Sequence, residues 1–203
     1  MFYQRYGKRI FDVAVAGTAL VLAAPLLAAT AIAVRVAIGS PVFFRQRRPG
    51  KDGEPFTLVK FRTMTDARGR DGVLLPDADR LPRFGKWLRA TSLDELPELV
   101  NILKGEMSLV GPRPLLERYL TRYDARQARR HDVRPGLTGW AQINGRNAAD
   151  WPTRLEHDVQ YVERMSFAFD LKILWGTVKA VLRKDGISAP GEATVSEFQG
   201  KAA

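Results

Sequence analysis

An uncharged apolar segment near the N-terminus constrains this chain more than any other feature. No charged side chain occurs from Val13 to Val34. As a straight α-helix this run is about 33 Å long, enough to cross the hydrocarbon core of a bilayer. It is too long for the apolar region of a signal peptide, and no convincing cleavage site precedes the basic sequence that resumes at Arg35. We therefore expect a membrane segment that stays in the mature protein.

Pro25 lies near the middle of this segment. A proline cannot donate a hydrogen bond to the Val21 carbonyl, and its ring crowds that turn, so we expect a kink. Each arm would be about 14 to 18 Å long, shorter than the roughly 30 Å hydrocarbon core. A sharp kink predicts a re-entrant hairpin that enters and leaves by one face. A spanning helix with a mild kink fits equally well, and a buried helix of a soluble domain is a third alternative.

Basic residues flank the apolar segment on both sides. They are Arg5, Lys8 and Arg9 before it, and Arg35, Arg45, Arg47 and Arg48 after it. Because Lys and Arg accumulate on the cytoplasmic side of membrane proteins, we expect both ends of the segment at the cytoplasmic face.

Composition restricts the partners and the metals. A net charge of +10, from 32 basic and 22 acidic residues, favours acidic lipid headgroups or phosphorylated small molecules. We find no zinc-finger spacing and no aromatic RNA-binding signature, so we do not expect nucleic acid as a partner. The chain has no cysteine, and its two histidines, His131 and His157, are far apart. Any metal should therefore be a hard, carboxylate-bound ion such as Mg²⁺.

The pattern after the apolar segment predicts a mainly α-helical fold with a small β-hairpin, an α+β arrangement. Two β-rich runs, 42–44 and 56–61, flank a Pro/Gly-rich turn. A long polar loop spans about 66–82, and basic amphipathic helices are expected at 80–90 and 169–183, suited to a membrane surface or to core packing. We expect a membrane segment with basic flanks at 1–40, a cytoplasmic-face catalytic domain at 41–185 and a flexible tail at 186–203.

Asp94 and Glu95 form an adjacent pair of carboxylates at a predicted helix start. In one interpretation Ser92 is the N-cap and Glu95 completes a capping box, with both acids favoured by the helix dipole. In the other, Asp94 is a nucleophile for a phosphoryl group and Glu95 holds Mg²⁺. The two interpretations are compatible.

Several further residues are candidates for binding phosphate or substrate. Lys60 and Arg62 alternate along an expected strand, Arg89 precedes the carboxylates by about one turn, and Arg113 lies between two prolines. Solvated surface charge is the alternative for each arginine. The segment 134–147, with Gln142 and Arg146, has the composition of a binding loop or of a tight structural loop. Asp158, on an expected helix at 153–165, either reaches a site or solubilises a surface.

Read together, five motifs closely resemble the bacterial sugar transferase family, the monotopic phosphoglycosyl transferases. They occur in the order of that family, at 8–12 (KRIFD), 60–64 (KFRTM), 93–97 (LDELP), 111–114 (GPRP) and 139–143 (GWAQI). The resemblance runs from about Lys8 to Arg183. The chain is similar to the minimal form of the family, which is little more than a catalytic domain. It implies a re-entrant helix broken at Ala24-Pro25, at the cytoplasmic face of the bacterial inner membrane. The family often has Ser before that proline, so Ala24 is a departure.

The resemblance also implies a chemistry. Asp94 would attack the β-phosphate of a UDP-sugar and release UMP, leaving a covalent phosphosugar that undecaprenyl phosphate accepts. Glu95 would help to hold Mg²⁺. Five basic residues would stabilise phosphate charge, namely Lys60, Arg62, Arg89, Arg113 and Arg146. This reaction is the first membrane step of glycoconjugate assembly, and downstream glycosyltransferases are expected partners.

Two rival functions remain at this point. A non-catalytic, membrane-tethered basic module would use Asp94 and Glu95 only as a helix cap and would release no UMP. A Mg²⁺-dependent membrane phosphohydrolase would use the same aspartate, with water in place of the lipid acceptor. The sequence leaves the identity of the sugar open.

Overall fold

The N-terminal apolar segment forms one long helix in the computed structural model, which describes residues 2–144, 149–183 and 197–200. A π-helical turn, Tyr3–Gly7, leads into α1 (Lys8–Ala37), which contains Pro25. Among the described residues, Tyr3–Ala37 is the one helix long and apolar enough to cross a membrane. The expected N-terminal apolar helix is therefore confirmed.

The predicted β-hairpin follows α1. Strands β1 (Phe43–Pro49) and β2 (Pro55–Phe61) pair antiparallel around a 3₁₀ turn at Lys51–Gly53. Directly paired residues point to the same face of a sheet. One face therefore carries three pairs, Phe44 with Lys60, Gln46 with Leu58, and Arg48 with Phe56. Phe56 and Leu58 are buried, so this face packs toward the protein interior.

The rest of the chain is mainly helical, as expected. The helices are α2 (Asp77–Arg80), α3 (Arg83–Thr91), α4 (Glu98–Lys104), α5 (Ala125–Ala128), α6 (Trp140–Ile143), α7 (Trp151–Arg164) and α8 (Phe167–Arg183). Two short strands, β3 (Ser108–Val110) and β4 (Gly136–Thr138), pair in parallel. The sequence analysis did not predict this pair, because strands of three residues are too short to show a period-2 pattern.

The helix predicted at 80–90 is divided in two. Leu81 and Pro82 separate α2 from α3, and Pro82 takes the N-cap position of α3 in an extended conformation. A Cβ at Gly85 would lie 2.0 Å from the Thr63 carbonyl oxygen, so glycine permits α3 to approach the chain after β2. Leu88 is fully buried on the inner side of α3, whereas Trp87 is exposed.

Both halves of α1 pack against the rest of the protein. The first half contributes Ala16 to the main core, which includes Leu99 and Ile102 of α4. The second half contributes Val34 to a smaller cluster with Phe61 and Leu88. The outer side of α1 is apolar and exposed, with Ile10, Val13, Val21, Leu22, Leu26, Ile32 and Val36. Membrane lipid is the natural cover for such a surface.

A buried carboxylate, Asp170 of α8, ties α1 to the domain. It accepts hydrogen bonds from Lys8 Nζ at 2.7 Å, Tyr161 OH at 2.8 Å and Tyr3 OH at 2.5 Å. The Tyr161 hydroxyl also lies 2.9 Å from the Val110 carbonyl oxygen at the end of β3. This network therefore joins α1, α7, α8 and β3 at one point.

Residues 197–200, in the segment that was expected to be a flexible tail, pack against the domain. Phe198 is buried among the rings of Tyr119, Tyr123 and Trp151. Arg122 pairs with Glu197 at 3.0 Å and donates to the Phe198 carbonyl. An aromatic anchor with polar contacts on both sides holds these four residues against the domain.

We expect Asp170→Asn to destabilise the protein by roughly 3 to 5 kcal/mol, because the substitution leaves the Lys8 ammonium buried without its counter-charge. Thermal unfolding of the purified protein in detergent measures the effect. Arg126→Gln is the matched control, since Arg126 forms an ion pair with Glu156 on the surface and its loss should change little. Equal melting temperatures for the two variants would contradict a structural role for the Asp170 network.

Candidate active site

Asp94 lies in a short 3₁₀ turn, Leu93–Glu95, between α3 and α4. Ser92 adopts a left-handed conformation with φ of 57°, and its side chain makes no capping hydrogen bond. The predicted capping box is therefore wrong, because α4 begins only at Glu98, after Pro97. Helix capping does not explain why two carboxylates stand here.

Three carboxylates are crowded in and beside this turn. Asp94 is only 4% exposed, and burial, followed by the negative charge of Glu95, raises its pKa from 3.8 to about 6. Glu98, one turn later, is 3% exposed, and the same two causes raise its pKa to about 8. Buried acids with raised pKa values are typical of sites that bind cations or react.

Arg113 provides the closest counter-charge of this cluster. Its guanidinium donates to Glu95 Oε1 in an ion pair, and the negative charge of Glu95 raises the pKa of Arg113 above its ordinary value. The Arg113 side chain is 44% exposed, whereas the Glu95 side chain is 18% exposed. An arginine fixed at one end by a carboxylate and open to solvent at the other can also bind an anionic ligand.

Lys60 and Arg89 approach the cluster from other elements. Burial lowers the pKa of Lys60, at the end of β2, and the nearby Asp94 and Glu95 charges oppose that effect. Arg89, near the end of α3, donates from Nε to Thr63 Oγ1 at 3.0 Å. Burial lowers the pKa of Arg89 as well, and Asp94 again opposes it. The structure thus brings Lys60, Arg89 and Arg113 together around Asp94 and Glu95.

Asp158 of α7 lies outside this cluster but is connected to it. Arg130 donates from Nε and Nη2 to Asp158 Oδ2 at 3.0 and 2.8 Å, and both residues are buried. Arg130 Nη2 also donates to the backbone carbonyl of Arg113 at 2.5 Å. Asp158 is therefore neither a surface residue nor a member of the Asp94 cluster. It orients Arg130, which holds the loop that carries Arg113.

Arg62 was expected to share a strand face with Lys60, but it has a different environment. Strand β2 ends at Phe61, and the Arg62 guanidinium turns to the chain that follows α1. It donates to the Ser40 carbonyl at 2.6 Å and the Met64 carbonyl at 2.8 Å, and it pairs with Asp66 at 2.5 Å. These contacts stabilise the junction between α1 and the hairpin.

The candidate binding loop at 134–147 is placed only in part. Gln142, in α6, donates from Nε2 to the Leu137 carbonyl at 3.1 Å. Its Oε1 is buried and has no hydrogen-bond partner within the described residues. Arg146 lies outside the described residues.

The carboxylates suit magnesium better than a transition metal. Within 2–144, 149–183 and 197–200, no group of three or more His, Asp or Glu side chains is arranged to hold a metal ion. Mg²⁺ usually takes one or two carboxylates and completes its shell with water and substrate phosphate. Asp94 and Glu95 fit that donor set, because a cation beside them would offset the mutual repulsion that raises the Asp94 pKa.

Three residues near this site were missed from the sequence. Glu98 follows Asp94 by four positions, so helical spacing was a signal for it. Arg130 and Arg48 are distant in sequence, and only the packing of their segments brings them near Arg113. No local pattern distinguishes either of them from a surface arginine.

Comparison with known proteins relates this arrangement to sugar transferases. Residues 3–184 match the bacterial sugar transferase family. The chain is 54% identical over 193 residues to the uncharacterized sugar transferase EpsL of Bacillus subtilis (strain 168), covering 95% of this chain and 96% of that protein. It is 41% identical over 197 residues to exopolysaccharide production protein ExoY of Rhizobium meliloti (strain 1021), covering 88% and 87%. It is also 41% identical over 190 residues to a UDP-glucose:undecaprenyl-phosphate glucose-1-phosphate transferase of Caulobacter vibrioides, covering 88% and 70%.

The raised acid pKa values predict that the ligand-free protein loses stability as pH rises. Unfolded Asp94 ionises near 3.8 and folded Asp94 near 6, so its contribution is full at low pH and is lost between these values. Glu98 extends the loss to about pH 8. Burial lowers the pKa of His131 from 6.5 to about 4, which has the opposite effect on stability below about pH 6.5, so the test compares variants with the wild type. In thermal unfolding from pH 4 to 8, the melting temperature of Asp94→Asn relative to the wild type should rise between pH 4 and 6, and that of Glu98→Gln should rise up to about pH 8.

Asp52→Asn is the matched control for this titration, because Asp52 is exposed in the hairpin turn. Its curve should match the wild type. Curves for Asp94→Asn and Glu98→Gln that keep the full wild-type pH dependence would contradict the assignment.

Proposed function

The chain belongs to the bacterial sugar transferase family, and on that premise we propose that it moves a sugar 1-phosphate from a UDP-sugar to undecaprenyl phosphate and releases UMP. The observation that carries this proposal is the buried Asp94, surrounded by Lys60, Arg89 and the Arg113–Glu95 pair. The Caulobacter relative is named for UDP-glucose and undecaprenyl phosphate. Glucose is therefore the first sugar to test.

Asp94 is suited to act as the nucleophile. With a pKa of about 6 it is mainly ionised at neutral pH, and its burial leaves the carboxylate poorly solvated. A carboxylate oxygen would form a bond to the β-phosphorus as the bond from that phosphorus to the bridging oxygen breaks, and UMP departs with the electron pair. An oxygen of undecaprenyl phosphate would then attack the same phosphorus and release Asp94.

The surrounding cations would stabilise the charge that develops on phosphate. Lys60 and Arg89 lie near Asp94, and Arg113 reaches the same cluster through Glu95. A Mg²⁺ ion bound by Glu95, with Asp94 beside it, would neutralise diphosphate charge and assist the leaving group. The Asp158–Arg130 pair would keep Arg113 in position through its backbone carbonyl.

The contacts of α1 support a bent helix that enters and leaves the membrane by one face. The domain contacts Ala16 in the first half of α1 and Val34 in the second. A helix that crossed the bilayer would carry one half away from a domain on the cytoplasmic side. A bend at Ala24-Pro25 would let both halves stay with the domain while the outer apolar side contacts lipid.

Other exposed apolar side chains support a site at the membrane surface. On α8, Phe167, Leu171, Trp175 and Val178 are exposed at helical spacing, and Lys179 lies 5.3 Å from the centroid of the Trp175 ring. Trp and Lys together are suited to the headgroup region, where anionic lipids attract basic residues. The phosphate of a polyprenyl phosphate lies at the same level. We therefore propose the cytoplasmic face of the inner membrane as the location.

We expect Asp94→Asn to lower UMP release roughly 10³-fold or more, because the amide cannot form the covalent intermediate. The assay is UMP release by purified protein in nanodiscs with Mg²⁺, undecaprenyl phosphate and a panel of UDP-sugars that begins with UDP-glucose. Asp52→Asn, the same change in the exposed hairpin turn, should keep full activity.

The same assay separates the rival functions. Release of UMP that depends on both the lipid and Asp94 supports the transferase. Release without lipid, with free sugar phosphate as product, would indicate a phosphohydrolase. No release from any UDP-sugar would indicate a tethering module, and an active Asp94→Asn variant would exclude Asp94 as the nucleophile.

The bent topology predicts that both flanks of α1 are reached from the cytoplasm alone. The chain has no cysteine, so Arg5→Cys and Ser40→Cys each give a single labelling site. A membrane-impermeant maleimide should label neither variant in intact cells and both in inverted membrane vesicles. Leu22→Cys, in the apolar centre, should resist labelling in both preparations. Labelling of Arg5→Cys and Ser40→Cys from opposite sides would show a spanning helix.

A further inference from the structure

Arg48 lies on the inner face of the hairpin, where a charged side chain is unusual. Its partner across the strands is the buried Phe56, so Arg48 points to the same side as the core residues of β2. Lys60 stands on this same face, at the other end of the pairing. The hairpin thus presents one cation at each end of its inner face.

Within the part of the chain that the structure describes, the guanidinium of Arg48 has hydrogen-bond acceptors but no counter-ion. Nη1 donates to the Pro114 carbonyl at 3.3 Å and Nη2 to Gln46 Oε1 at 2.6 Å, while the buried Nε has no hydrogen-bond partner among the described residues. No carboxylate of the described residues pairs with Arg48 within 4.0 Å. A largely desolvated cation without an acid partner is costly, and an anionic ligand would offset that cost.

The electrostatic neighbours of Arg48 place it beside the proposed active site. Burial, followed by the positive charge of Arg113, lowers its pKa to about 10, and the nearby Glu98 opposes both effects. Two arginines therefore stand close together, and in the described ranges a carboxylate pairs with Arg113 but not with Arg48. An anion between them would be attracted by both.

Phosphate is the anion that this site is proposed to handle, and the geometry favours the nucleotide over the lipid as its source. Lys60 pairs with Phe44, close to the end of α1, whereas Arg48 is four residues farther along β1. At about 3.3 Å per residue, Arg48 stands about 13 Å along the strand from Phe44, the partner of Lys60. Asp94 is a neighbour of Lys60, and it is not among the main charged neighbours of Arg48.

We propose that Arg48 is a phosphate-binding residue of this site and that it binds the phosphate that leaves with the nucleotide. The assignment rests on the proposed function, since it takes the anion to be part of a UDP-sugar. Arg113 and Arg48 would then hold the two sides of the departing UMP, while Lys60 and Arg89 act near Asp94. Arg113 would link the two pairs of cations.

The test is UMP binding by isothermal titration calorimetry with the full-length protein in nanodiscs. Arg48→Met should weaken UMP binding at least about 10-fold, the loss expected for one charge-assisted hydrogen bond, and Arg48→Lys should weaken it less. The KM for the UDP-sugar should rise in parallel, while the KM for undecaprenyl phosphate stays unchanged. Arg47→Met is the matched control, because the neighbouring Arg47 points outward and is exposed. It should bind UMP as the wild type does.

A double-mutant cycle distinguishes binding from a structural role. If Arg48 acted only by holding the Pro114 carbonyl, its replacement would add no loss of UMP affinity in an Arg113→Met background. A further loss in that background supports direct contact with phosphate. Unchanged UMP affinity in Arg48→Met, or a raised KM for the lipid alone, would overturn the proposal.

The titration also separates this inference from the proposed function. UMP binding needs no turnover, so Arg48 can be judged in a protein that releases no UMP. A wild-type protein that binds UMP through Arg48 but transfers no sugar phosphate would overturn the proposed reaction alone. A wild-type protein that transfers sugar phosphate, with a UMP affinity that Arg48→Met leaves unchanged, would overturn the assignment of Arg48 alone.

Discussion

The buried Asp170 carboxylate is the contact on which the arrangement of membrane helix and site depends. It holds the Lys8 ammonium of α1 and the hydroxyl of Tyr161, and that hydroxyl also contacts the Val110 carbonyl. Val110 ends β3, and the loop with Arg113 follows directly. A lone charge buried at this junction would be strongly unfavourable. Helix α1 supplies the ammonium and the domain supplies the carboxylate that neutralises it. The membrane anchor and the Arg113 loop are thereby fixed to one point.

The carboxylate cluster shows why the ligand-free site is electrostatically strained. Asp94, Glu95 and Glu98 are close in the chain and at least half-buried. After burial, the charge of Glu95 is the main cause that raises the pKa values of Asp94 and Glu98, and the charge of Asp94 also raises that of Glu98. Arg113 relieves only part of this repulsion through its pair with Glu95. A diphosphate with its magnesium ion would bring both signs of charge into the cluster. Part of the binding free energy of such a substrate would therefore come from relief of interactions already present in the protein.

Sequence reasoning predicted the elements whose patterns are local and missed those that depend on packing. The hairpin and the apolar helix follow from residue type and length, whereas Pro82 divides a helix whose amphipathic pattern is continuous. Ser92 satisfies the sequence rule for an N-cap, yet its left-handed backbone turns the side chain away from that role. Asp94 and Glu95 are adjacent in sequence and could be recognised. Arg130 could not, because its contact with Arg113 comes from the folding of distant segments.

The two ends of the hairpin's inner face carry one cation each, an arrangement by which one small element would serve both substrates. Its N-terminal end lies next to α1, where Lys60 stands near Asp94 and close to the level at which a lipid phosphate would arrive. Its far end carries Arg48, which donates to the carbonyl of Pro114, the residue after Arg113. A strand is stiff over this distance, so the separation of the two cations is set by the backbone rather than by flexible side chains alone. A nucleotide entering from water and a lipid entering from the bilayer could then meet at Asp94 without competing for the same cation. In the proposed mechanism that separation would be an advantage, since the two half-reactions would use Asp94 in turn and UMP would leave before the lipid phosphate attacks.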